Sequence, residues 1–108
     1  MSKEEILAEF EVDFKSPGSK YGEYLYQDVI KRAKGLILLD RLGVIEACKY
    51  WFSLRKEPYT MLAVDLAKNL NITELKPELE NLKKDIASGK IFLPYYVEWV
   101  DKALNAIS

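Results

Sequence analysis

From Tyr21 to Leu42, apolar side chains return every three or four residues. Tyr21, Leu25, Val29, Ala33 and Leu36 form one row, with Tyr24 and Tyr26 beside it, and the spacing carries on through Leu39 and Leu42. Such a row lines one side of an α-helix. A strand cannot present it, because its faces alternate at every second residue. Gly35 falls inside the run, but a helix tolerates a glycine for about 1 kcal/mol, so the row predicts one long helix. Gly43 follows Leu42 and precedes the apolar Val44, the pattern of a helix that ends in the left-handed conformation.

The same period recurs in shorter pieces. Ser2 followed by Glu5 predicts a capping box that opens a first helix. Its apolar stripe is Ile6, Leu7 and Phe10, and it ends near Glu11. Ser16-Pro17-Gly18-Ser19 marks a loop from Val12 to Lys20, flanked by Phe14 and Tyr21. Val44 to Lys56 is a third helix carrying Ile45, Cys48, Trp51, Phe52 and Leu54, stopped by Pro58. Pro58 or Thr60 opens a fourth, with Leu62, Ala63, Leu66, Ala67 and Leu70 inward and Asn71 at its end. Thr73 is expected to cap a fifth, through Leu75, Leu79, Leu82 and Ile86 to Gly89. Pro77 sits in its first turn, where a missing N–H is tolerated. Pro94 opens a last helix whose inner face is Tyr96 or Val97, Val100, Leu104 and Ile107.

No strand-like alternation persists beyond four residues, and no Asn-Gly or Asp-Gly hairpin turn occurs. The expected fold is therefore all-α, a compact orthogonal or up-down bundle of five to six helices in a single domain over 1–108. The 49% of apolar residues suffices for one core without a disulfide or metal staple.

Charge narrows the partners. Sixteen basic residues face seventeen acidic ones, a net charge of -1, whereas domains that live on phosphate backbones carry a clear positive excess. No pure apolar run is longer than the four residues of Leu36 to Leu39, far below a membrane span, and no membrane partner is expected. Met-Ser-Lys-Glu-Glu lacks the basic-then-apolar order of a secretion signal. A single cysteine, Cys48, cannot form an internal disulfide. Both features predict a cytoplasmic protein.

The chain has few tools for catalysis. It contains no histidine, which removes the commonest general base at neutral pH and the commonest metal ligand. Cys48 lies on an apolar helix face and reads as a small buried hydrophobe. Glu5 with Glu9, and Glu74 with Glu78, are acid pairs at helical spacing that read as solvated surface. Asp40, among leucines, is expected to pair with Arg41 or Lys31. Ser16 to Lys20 resembles an anion cradle before a helix start, but reads as an ordinary turn and cap. No catalytic residue, cofactor or metal is assigned.

Val64-Asp65-Leu66-Ala67-Lys68-Asn69-Leu70-Asn71-Ile72-Thr73, followed by Leu79 and Leu82, resembles the helix-turn-helix pattern. The resemblance implies that the helix after Thr73 enters a major groove by its first residues. Here these are Glu74, Leu75, Lys76, Pro77 and Glu78. Two carboxylates and a proline meet phosphates poorly, so nucleic acid is not the expected partner. Lys31-Arg32-Ala33-Lys34 with Arg41 is the one basic cluster and reads as a solvated helix face, with Asp28 and Arg32 spaced to pair.

The aromatic residues stand out. Seven tyrosines, four phenylalanines and two tryptophans include the groups Tyr21-Tyr24-Tyr26, Tyr50-Trp51-Phe52 and Phe92-Tyr95-Tyr96-Trp99. Three consecutive aromatics on a helix point to different sides and cannot all enter one core. Tyrosine and tryptophan join a large apolar area to a polar tip, which suits protein interfaces. The candidate partner-binding residues are Tyr24, Tyr50, Trp51, Tyr95, Tyr96 and Trp99. The expected function is a non-enzymatic protein-interaction module that self-associates, as a homodimer, through aromatic-rich helix surfaces. The alternatives are a helix-turn-helix-like nucleic-acid-binding regulator and a small enzyme that uses carboxylates only.

Overall fold

The computed structural model describes residues 2–12 and 22–107, with side chains from Tyr26 onward in the second stretch. Phe14, the Ser16–Lys20 turn, Tyr21 and the side chains of Tyr24 and Leu25 lie outside the described residues. Among the described residues there are six α-helices and one 3-10 turn, and no strand occurs. The architecture is all-α, as the spacing requires. Contacts divide the chain into two compact units, Met1–Cys48 and Lys49–Ser108.

The first unit holds α1 (Lys3–Phe10), α2 (Gly22–Leu39) and the start of α3 (Arg41–Leu54). Ser2 closes the predicted capping box. Its Oγ accepts the Glu5 N–H at 3.2 Å, and its own N–H donates to Glu5 Oε1 at 3.4 Å. The helix packs against α2, with Ile6 and Phe10 fully buried. On α2, Val29, Ala33 and Leu36 are buried as their spacing predicts, and the helix runs unbroken through Gly35. Arg32 reaches Glu9 at 3.5 Å, a half-exposed pair that adds little stability.

The helix does not reach Gly43. It stops at Leu39, because Asp40 caps a new helix: its Oδ1 accepts the Gly43 N–H at 3.0 Å, the N-cap to third-residue bond. That bond holds the Asp40 carboxyl below its ordinary value. Asp40 is thus the N-cap of α3. Gly43 is a buried first-turn residue of α3. Leu39 and Leu42, read as a continuation of the inner row, are instead exposed: Leu39 is the last residue of α2, and Leu42 lies beyond the corner in the first turn of α3.

The second unit holds the rest of α3, then α4 (Tyr59–Asn69), a 3-10 turn (Thr73–Leu75), α5 (Lys76–Ala87) and α6 (Tyr96–Ala106). The central helix is α4. Thr60 to Val64, Leu66 and Ala67 are all buried, the pattern of a helix apolar nearly all round. It is anchored at its start by Thr60, whose hydroxyl donates to the Trp51 carbonyl at 2.9 Å and accepts the Lys56 N–H at 3.1 Å.

Both predicted helix ends in this unit form the Schellman motif. After α4, Asn71 takes φ 50°, and the Ile72 N–H reaches the Ala67 carbonyl at 3.0 Å. After α5, Gly89 takes φ 80°, and the Lys90 N–H reaches the Asp85 carbonyl at 3.1 Å. Thr73, expected to cap α5, makes no capping bond; the 3-10 turn intervenes, and Pro77 falls in the first turn of α5 as predicted. The last helix packs against both α4 and α5. Its buried residues are Val100 and Ala103, with Ile107 just beyond its end; Leu104 is half-buried, so Ala103 takes its place on the inner face.

Candidate functional site

The start of α6 carries a stack of rings. The Tyr95 and Tyr96 rings lie 4.7 Å apart at 26°, and Tyr96 and Trp99 lie 5.9 Å apart at 21°. Phe92 meets Tyr96 at 5.5 Å, tilted by 55°. Residues 92, 95, 96 and 99 fall on one side of the first turns of α6 and of the connector before it, as three- and four-residue steps require.

Polar bonds hold the stack in place. Trp99 Nε1–H donates to Asp65 Oδ1 on α4 at 2.7 Å, and the Tyr96 hydroxyl donates to Glu57 Oε1 before α4. The Glu57 carboxylate raises the Tyr96 phenol well above its ordinary value, so it stays protonated and able to donate. Burial raises the Asp65 carboxyl above its usual 3.8, while the Trp99 hydrogen bond acts the other way. A raised folded-state pKa stabilises the protein most below the unfolded value, and that contribution is lost as pH rises through the folded one. Asp65→Asn is therefore expected to gain on the parent protein as pH rises from below 3.8 towards neutrality, measured as the difference in urea midpoint across that range.

The stack is also accessible. Tyr95 is 63% exposed and Leu93, just before it, 57%; Tyr96 and Trp99 are half-buried. Beside the rings lies a shallow hollow of about 310 Å³, lined by Lys68, Tyr95, Glu98, Trp99 and Lys102. Rings locked by hydrogen bonds on one edge and open on the other offer apolar area that needs little further ordering on contact.

The remaining candidates separate. Tyr50 is exposed on α3. Trp51 beside it is 1% exposed and packs at 5.6 Å against Tyr59. Trp51 is a core residue in this structure and offers no surface to a partner. Phe52 is buried as well, so two of the three consecutive rings enter the interior and Tyr50 alone stays out. The Tyr24 side chain lies outside the described residues. Sequence reasoning missed Leu93 and the two lysines of the hollow; a leucine in a short connector gives no periodic signal.

Other chemistry is sparse. Among the described residues, no group of three or more cysteine, aspartate or glutamate side chains could hold a metal ion. Of the acid pairs, Glu9 faces Arg32. Glu78 lines a second hollow of about 260 Å³ with Lys49, Phe52, Ser53, Arg55 and Asn81, and its Oε2 is buried without a hydrogen bond. Arg55 in that hollow is bonded to Asp85 at 3.0 Å. Cys48 is fully buried, and burial pushes its thiol up to about 12. It is expected to resist a thiol reagent at pH 8 in the folded protein and to react at once in denaturant, followed by absorbance of the released chromophore. No helix among the described residues is long and apolar enough to cross a membrane.

The chain matches no family model, no curated protein and no solved structure.

Proposed function

We propose that this chain is a non-enzymatic protein-interaction module, acting in the cytoplasm, that self-associates through the aromatic face of α6. One observation carries the reading: Tyr95, Tyr96 and Trp99 stack in a fixed order while Tyr95 and Leu93 stay open to solvent. Contact energy at interfaces concentrates in tyrosine, tryptophan and arginine set in a well-packed surround. The neighbouring hollow gives a partner side chain a place to enter.

The two tryptophans supply a test. Trp51 is buried and should be shielded from acrylamide at any protein concentration. Trp99 sits on the proposed contact face, so its quenching is expected to fall as concentration rises. Quenching that stays constant across the dilution series would oppose self-association through this face.

A further inference from the structure

We propose that the corner between α2 and α3 is a peripheral contact for an anionic lipid surface. Leu38, Leu39 and Leu42 are 88%, 78% and 68% exposed there, three large aliphatic side chains within five residues. Singly exposed leucines are ordinary, but a contiguous exposed apolar group marks an interaction surface. Lys34 and Lys31 lie one and two turns before Leu38 on the same side of α2, both exposed and without an ion pair among the described residues. Arg41, also exposed, stands between Leu39 and Leu42.

Charge complementarity selects the partner. The segment from Lys31 to Glu46 holds four cations, of which Arg32 is paired with Glu9, and two acids in a chain that is otherwise acidic. One of the acids, Asp40, is engaged in the cap of α3. Protein interfaces are depleted in lysine, and their dominant contacts are rarely leucine. A bilayer surface favours the opposite mixture: aliphatic tips reach the acyl boundary while lysine and arginine meet anionic headgroups. Side chains this exposed have no neighbours to shape a pocket for a rigid partner, whereas a fluid surface needs none. Such a contact requires no spanning helix. It departs from the absence of a membrane partner that the short apolar runs suggest, because a peripheral contact needs no span.

The proposal is independent of the α6 reading and is tested by flotation of the full chain with phosphatidylcholine vesicles, with and without roughly one phosphatidylserine in three. The parent protein is expected to float with the anionic vesicles, less so as salt is raised. Leu38→Gln with Leu39→Gln should lower that partition at least tenfold, about the worth of one buried leucine, with an unchanged circular dichroism spectrum because both side chains are exposed. Lys31→Glu with Lys34→Glu should abolish the preference for phosphatidylserine. Tyr95→Ser should float as the parent does, whatever its effect on self-association. The proposal is overturned if the parent binds neither vesicle or if the leucine pair leaves binding unchanged. It also fails if the leucine pair alters only the mass of the protein in lipid-free solution, which would assign the corner to a second copy of the chain.

Discussion

Trp51→Ala is expected to cost about 3–5 kcal/mol of stability, read as a large fall in the urea midpoint with loss of far-ultraviolet helicity at moderate temperature. Domains of this size hold only about 5–15 kcal/mol in total, so the variant should be partly unfolded or nearly so. The reason is position rather than type. Trp51 is 1% exposed near the end of α3, its ring meets Tyr59 at 5.6 Å, and Phe52 and Thr60 beside it are buried too. Removing the indole leaves a cavity among side chains that cannot all collapse into it. Trp51→Phe should recover most of the loss. A Trp51→Ala protein as stable as the parent would return Trp51 to the surface, where its sequence neighbours suggested it belongs.

Thr60→Val should cost about 2–3 kcal/mol, although valine has nearly the same shape. The Thr60 hydroxyl is fully buried and serves two backbone groups at the α3–α4 turn. It donates to the Trp51 carbonyl in the last turn of α3 and accepts the Lys56 N–H. Valine removes both bonds in a place water reaches poorly. Thr60→Ser keeps the hydroxyl and should lose far less. Thermal melts of the three proteins check this; equal losses for valine and serine would show that the methyl, not the hydroxyl, is what matters. The Trp51 and Thr60 losses should not add, since both act on the same turn.

What could be read from sequence divides along one line: a local rule that stood alone held, and where two competed the residues did not say which prevails. The Ser2–Glu5 box, the Val29–Ala33–Leu36 row and the ends at Asn71 and Gly89 rest on bonds within a few residues, and each forms as the residues dictate. At the α2–α3 corner two rules compete. Gly43 fits a left-handed helix end, and Asp40 fits an N-cap; the carboxylate bond to the Gly43 N–H prevails. That outcome places Leu42 in the first turn of α3, where it is exposed. Thr73 lost its capping role to a 3-10 turn in the same way. The site was half legible. Tyr95, Tyr96 and Trp99 follow from clustering and helical spacing, but which of Tyr50, Trp51 and Phe52 stays outside depends on how α3 is rotated against the rest of its unit. No pattern within one helix encodes that rotation.

The solution mass of the chain decides the central claim. Light scattering over a concentration series is expected to rise from the 12.5 kDa of one chain towards twice that value, and Leu93→Ser with Tyr95→Ser is expected to stay at one chain throughout while keeping its helicity. A parent protein that remains a single chain at the highest concentration, or a serine pair that associates as well as the parent, would contradict it.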